Sequence, residues 1–216
     1  MTATLLEAGW RAVVPYNQPR ERERLEADPR IAARAQQLEL IEADLFHDEQ
    51  VGAVVEAAGA GIGAVVNLVG GFAAGHRVHE TPVGDFEEQL RVNLRPTYLV
   101  TMAAVPHMLA AQEGAVVCVS SRAALRPFAG AAGYVTSKAA VLAFVDALAV
   151  EYTKDGVRAN AILPSVIDTP ANRRSQPEAD HASWVSPDAI ARVIRFLVSP
   201  DSEPISGAHI PVYGRA

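Results

Sequence analysis

Residues 115–163, AVVCVSSRAALRPFAGAAGYVTSKAAVLAFVDALAVEYTKDGVRANAIL, decide the fold. Ala115–Ser120 (AVVCVS) is a short run, apolar almost throughout, as expected of a strand covered on both faces. Tyr134–Lys154 reads as a helix, and Gly156 just beyond it reads as its stop. Val157–Leu163 (VRANAIL) is again an apolar run of strand length. Strand, helix and strand in this order form a βαβ unit with parallel strands.

The same alternation continues outward in both directions. Further strands are expected at Trp10–Tyr16, Leu38–Ala43, Ala64–Val69 and Ala208–Tyr213. Helices are expected over roughly Glu21–Gln37, Asp48–Ala58, Pro82–Ala111 and Pro187–Val198. Thr81 before Pro82 and Ser186 before Pro187 read as N-caps with proline in the first turn. No internal repeat or linker divides the chain, so residues 1–216 are expected to form one α/β domain. Its mostly parallel sheet would carry helices on both faces, a three-layer αβα arrangement.

Composition narrows the function classes. Half of the 216 residues are hydrophobic and a fifth charged, and 19 basic against 25 acidic residues leave a net charge of −6. That balance points away from nucleic acid and anionic membranes as partners. No apolar run reaches the length needed to span a bilayer, and MTATLLEAGWR lacks the basic start and long apolar stretch of a signal peptide. The single cysteine, Cys118, excludes an internal disulfide and fits a reducing compartment, so a cytoplasmic location is expected.

In parallel sheets ligands bind beyond the carboxyl ends of the strands. The segments that follow the apolar runs are Asn17–Arg20, Asp44–Leu45, Gly70–Gly75, Ser121–Arg122 and Pro164–Pro170. The glycines of GAGIG (59–63) imitate a phosphate loop, but such a loop needs a strand before it and a helix after it. Here the order is reversed, and a helix-to-strand turn is the reading adopted. His76 and His79 lie three apart without a third ligand, so no metal site is expected.

Tyr134 and Lys138, four apart in YVTSK, share one helix face. Ser121 stands at the end of the preceding strand, Asn93 lies in the helix upstream (RVNLRP), and NLVGG closes another strand. Taken together, these residues resemble the Asn-Ser-Tyr-Lys tetrad of the short-chain dehydrogenase/reductases, in order and in spacing. Asp44-Leu45 is similar to the family's adenine-flanking pair. Asn67-Leu68-Val69-Gly70 is similar to its Asn-Asn-Ala-Gly, and ILPSVIDTP (162–170) to its segment over the nicotinamide.

The resemblance implies a Rossmann-like fold and an NAD(P)-dependent oxidoreductase acting on a carbonyl/alcohol pair. Tyr134 would donate and accept the proton, Lys138 would lower the phenol pKa and touch the ribose, and Ser121 would hold the substrate oxygen. Asn93 would bind a relay water; the alternative for Asn93 is a polar side chain satisfied by backbone. The cofactor residues it implies are Asn17, Arg20, Asp44, Leu45, Asn67, Gly70, Tyr134, Lys138, Pro164, Ile167 and Thr169. Arginines near Asn17, with no acid before Glu21, favour NADP over NAD. A homodimer or homotetramer through the Asn-bearing and Tyr-bearing helices is also implied.

The family opens with a strand and a glycine-rich turn, and this chain is expected to lack both. Two escapes follow: Trp10–Tyr16 pairs directly with Ala64–Val69, or another chain fills the gap. The alternative function is a truncated, non-catalytic subunit that acts by binding or assembly. Gly70–Gly75 and Thr169–Trp184 also resemble dihydropteridine reductases, which makes a pterin-like heterocycle a second substrate reading. Ser121 departs from that pattern and favours ordinary ketone or aldehyde reduction.

Overall fold

In the computed structural model, which describes residues 1–215, fourteen elements follow one another. They are α1 (Thr2–Glu7), β1 (Ala12–Tyr16), α2 (Pro19–Glu26), α3 (Pro29–Ala32), β2 (Leu38–Glu42), α4 (Asp48–Ala58) and β3 (Ala64–Asn67). Then come α5 (Val83–Ala111), β4 (Gly114–Val119), α6 (Ala132–Tyr152), β5 (Val157–Pro164), α7 (Pro170–Ser175), α8 (Pro187–Val198) and β6 (His209–Val212). Every strand pair is parallel. The fold is Rossmann-like α/β.

Alternation along β4 explains the layers. Val116 and Cys118 face a core shared with α4, α5 and α6, while Ala115 and Val117 face α8. A strand that buries both faces has no place for a polar residue, hence the unbroken apolar run. On α8, Ile190, Ala191, Ile194, Leu197 and Val198 are buried at helical spacing, and Ser186 Oγ accepts from Ala189 N at 3.2 Å as its cap. Among the described residues, Ala132–Asp155 alone is long and apolar enough to cross a bilayer, with a mean hydropathy of 1.4. This corrects the reading that no such run exists. The apolar character serves the core, since Val141, Val145 and Leu148 pack inside it.

Three local expectations are corrected. The helix expected over Glu21–Gln37 breaks at Asp28, whose carboxylate accepts from Arg30 N, and Pro29 opens a new short helix. Proline disfavours helical backbone in the residue before it, which ends α2. Thr81 does not cap α5: its hydroxyl turns back to the Arg77 carbonyl at 2.9 Å, and Pro82 precedes the first turn. The third concerns β1, which pairs with β2 and not with β3.

The strands therefore form two sheets, β1-β2 and β3-β4-β5-β6. At the foot of both, the Trp10 ring lies against Gly63, where a Cβ would stand 3.2 Å from it. Gly59 ends α4 with φ +75°, so GAGIG is the helix-to-strand turn expected.

Gly156 stops the chain after α6 at φ +82°, and a Cβ there would overlap the Gln112 carbonyl. Gly156→Ala is expected to destabilise the fold by about 2 kcal/mol or more, through left-handed strain plus that overlap. Urea unfolding of the two proteins checks it.

Candidate active site

Two of the four tetrad positions, Asn93 and Lys138, meet at Gly70, and the other two, Tyr134 and Ser121, lie beside each other. Asn93 is buried on α5 and its side chain is fully engaged. Nδ2 donates to the carbonyls of Gly71 (3.1 Å) and Gln89 (3.0 Å), and Oδ1 accepts from Gly71 N (3.1 Å). Asn93 thus ties the loop after β3 to α5, which fits the backbone-satisfied alternative for its side chain. A Cβ on Gly70 would stand 2.6 Å from Asn93 Oδ1 and 3.1 Å from Lys138 Nζ. Only glycine lets the main chain pass that close.

Lys138 rises from α6 beneath the same loop. Its Nζ donates to the Val119 carbonyl at 3.0 Å, and its own carbonyl accepts from Ser120 Oγ at 2.7 Å. Burial pushes its pKa down to about 8. Of the ammonium's three donors, one is spent on Val119 and the others remain for a ligand at the Gly70 rim.

One turn earlier, Tyr134 is half-buried, and burial pushes its pKa up, opposed by the Ser121 hydroxyl beside it. Lys138 is not among the causes of that shift; its ammonium turns to Val119, and burial sets the sign. Ser121 Oγ also accepts from Ala123 N at 3.1 Å, which orients the hydroxyl. Phe72, from the loop after β3, meets the Tyr134 ring edge-on, with centroids 4.9 Å apart and planes at 84°. Phe128 stands 6.4 Å from Phe72. The two loops are joined by Gly75 N donating to the Gly130 carbonyl at 2.9 Å.

A cleft of about 600 Å³ lies between β1 and β3 and is bordered by Asn17, Asp44, Leu45, Asn67 and Gly70. Five expected cofactor positions therefore surround one space, and Gly70 joins it to Asn93 and Lys138. Asn67 contributes backbone there, because its Nδ2 points inward to Thr101 Oγ1 at 3.0 Å. Arg20 is exposed and does not line the cleft; Arg24 and Glu21 do, and Glu21 Oε2 accepts from Asn17 N at 3.1 Å. The phase of α2, set by its start at Pro19, decides which arginine faces inward.

Pro164 ends β5, Ile167 and Thr169 follow it, and all three lie outside the lining of this cleft. Thr169 Oγ1 caps α7, and the Ile167 carbonyl accepts from Asn172 Nδ2 at 2.8 Å. The glycine at position 70 and the free donors of Lys138 suit a nucleotide ribose, so the residues present fit a nicotinamide cofactor.

Comparison with known proteins places this arrangement. Residues 1–214 match the family described as enoyl-(acyl carrier protein) reductase. A 2-(R)-hydroxypropyl-CoM dehydrogenase from Xanthobacter autotrophicus is 33% identical over 189 residues, 81% of this chain and 76% of that protein. A 4-formylbenzenesulfonate dehydrogenase from Comamonas testosteroni is 31% identical over 187 residues, covering 79% of this chain and 74% of its own. Among solved structures, ElxO with NADP bound is similar in fold at a TM-score of 0.88 and 22% identity, over 99% of this chain and 92% of that one. The chain belongs to the short-chain dehydrogenase/reductase family, a family of oxidoreductases.

Proposed function

We propose that this protein reduces or oxidises a carbonyl/alcohol pair with a nicotinamide cofactor, and that Tyr134 moves the proton. The observation that carries the reading is the approach of Lys138 Nζ and Asn93 Oδ1 to Gly70, which lines the cleft, with Tyr134 one helical turn from Lys138 and beside Ser121. The cofactor supplies or takes the hydride. Its proposed contacts are Asn17, Asp44, Leu45, Gly70, Lys138 and the main chain at Asn67, with Pro164, Ile167 and Thr169 beyond β5. Arg24 supports a 2′-phosphate and hence NADP, while the Glu21 carboxylate on the same rim opposes it, leaving NAD as the weaker ligand.

The chain's own residues do the rest. Burial keeps the Tyr134 phenol protonated at neutral pH, the form needed to protonate a developing alkoxide. Ser121, beside that phenol, offers its hydroxyl to the substrate oxygen and fixes its distance from the acid. Lys138 holds a positive charge beside Gly70 below pH about 8. Asn93 keeps the Gly70-Gly71 loop in place through its three hydrogen bonds. NADPH consumption with a panel of aldehydes and ketones tests the reading, and absence of turnover with every carbonyl would contradict it.

The substrate class follows from Phe72. Its exposed ring, edge-on to Tyr134, supports a flat aryl carbonyl, in keeping with the 4-formylbenzenesulfonate named for one relative. Phe72→Ala is expected to raise KM for an aryl aldehyde by about tenfold, since an aromatic pair contributes ~0.5–1.5 kcal/mol. Its kcat and its activity on a small aliphatic aldehyde should be unchanged, and steady-state kinetics on both checks this. The same ring favours the pterin-like heterocycle as a second reading, with a quinonoid dihydropterin as its probe.

Residues 1–216 act as one domain, in the cytoplasm, without nucleic acid or membrane partners. A homodimer or homotetramer is supported by exposed Tyr98 and Met102 on α5 and Val150 on α6. The alternative is a non-catalytic subunit acting by binding or assembly, and failure to bind either nucleotide would select it.

A further inference from the structure

A second cavity, of about 590 Å³, shares no lining residue with the cofactor cleft. One of its walls is the segment His76–His79, and the other runs from Pro127 into the first turn of α6, on either side of Tyr134. The walls are held face to face by the hydrogen bond from Gly75 N to the Gly130 carbonyl. Gly130 has φ +80°, and a Cβ there would stand 3.3 Å from the Gly75 carbonyl carbon. Phe128 belongs both to this cavity and to the aromatic set at the acid. It stands 6.4 Å from Phe72, whose ring meets Tyr134 edge-on. An aromatic path therefore leads from the phenol to the cavity.

The chain as a whole repels anions, with its net charge of −6. This cavity has the opposite character: Arg77, His76 and His79 line it, and no carboxylate does. The Arg77 main-chain N–H donates to Glu80 Oε2 at 3.0 Å, and among the described residues its guanidinium makes no ion pair or hydrogen bond. The Arg122 guanidinium, by contrast, is spent over the Tyr213 ring. The other Glu80 oxygen stands 3.8 Å from His79 Nε2, so His79 is already partnered while Arg77 and His76 keep their donors. Among the described residues no group of three His, Cys, Asp or Glu could hold a metal, which leaves these side chains to an anion. A guanidinium matches carboxylate and sulfonate oxygens with its fork of N–H donors. Val78, Phe128 and Val135 make the rest of the lining apolar, suited to the body of a ligand and not to its charge.

We propose that this cavity is the subsite for an anionic group, a carboxylate or a sulfonate, at the far end of an aryl carbonyl substrate, and that Arg77 selects it. The inference rests on the reading of Tyr134 as the acid. The carbonyl sits at Tyr134, the aryl body lies along Phe72 and Phe128, and the anion meets the Arg77 fork, with a further hydrogen bond from His76. A remote anion held in this way positions the substrate without touching the reacting atoms, so its effect falls on KM and on the choice among carbonyls. Arg77 is exposed, and water and salt screen the pair, which keeps the selection at about fivefold.

Calorimetric titration of the full chain with biphenyl-4-carboxylate, biphenyl-4-sulfonate and the neutral biphenyl-4-carboxamide tests the site without turnover. The anions are expected to bind about fivefold tighter than the amide. Arg77→Gln should bring that ratio to about one, and Arg77→Lys should restore part of it. Arg195→Gln, at the exposed end of α8 on the other face of the sheet, makes the same change in net charge and should leave the ratio as it is. A preference for one anion alone would uphold the site and name the group it takes. Equal binding of anions and amide, a ratio that survives Arg77→Gln, or one that falls equally in Arg195→Gln would overturn the proposal. In turnover, 4′-formylbiphenyl-4-carboxylate should show a KM about fivefold below that of its methyl ester, and Arg77→Gln should erase the difference. Equal KM values would overturn the subsite. Absence of turnover with every carbonyl would contradict the oxidoreductase reading instead, and the titration would still read the anion site.

Discussion

Tyr134→Phe is expected to lower turnover by about 10²–10⁴-fold, the span attributed to a positioned general acid or base. The substitution removes only the hydroxyl. The ring keeps its edge-on contact with Phe72, so stability should change by no more than about 1 kcal/mol. Cofactor affinity should change little, because the rim at Gly70 is untouched. Single-turnover kinetics with NADPH and an aryl aldehyde, alongside urea unfolding, separates the two effects. Unchanged turnover in the folded variant would remove Tyr134 from its assigned role.

Lys138→Met is the second large effect, and it has opposite signs in function and stability. Burial lowers the Lys138 pKa from the ordinary 10.5 to about 8. The folded chain therefore holds the proton less tightly than the unfolded chain. That cost is fully present below pH 8 and is lost as pH rises from about 8 to 10.5, so Lys138 makes stability rise across that window. A shift of this size corresponds to a cost on the order of 3 kcal/mol at pH 7.

Methionine fills similar space without charge but leaves the Val119 carbonyl without its donor, a loss of about 1 kcal/mol. A net gain of about 1–2 kcal/mol at pH 7 is expected, shrinking to zero or reversing by pH 10. Activity should be lost at every pH. Urea midpoints across pH 7–10 check the stability arm, and a pH-independent difference between the proteins would contradict it.

The sequence made much of this legible for physical reasons. Strands buried on both faces must be apolar at every position, so β4 and β5 announce themselves as unbroken runs. Tyr134 and Lys138 lie a helical turn apart, and any helix through them puts both on one face. Other features depend on relations between elements that the sequence does not record. Asn67 reads as a cofactor contact, yet its amide is drawn inward by Thr101, a residue that α5 brings to it. Arg20 and Arg24 are alike in sequence, and only the helical phase of α2 turns Arg24 to the cleft. The contact of Phe72 with Tyr134 depends on how two loops are stitched at Gly75 and Gly130. The division of the sheet is likewise invisible, since an apolar run states that a strand is covered and not by what.

The central claim is that a nicotinamide nucleotide binds at the rim where Asn17, Asp44 and Gly70 meet Lys138. A fluorescence titration of the 216-residue chain with NADPH, and then with NADH, tests it most directly. The account predicts saturable micromolar binding of NADPH, weaker binding of NADH, and loss of both in the Lys138→Met protein. No binding of either nucleotide up to millimolar concentration would contradict it.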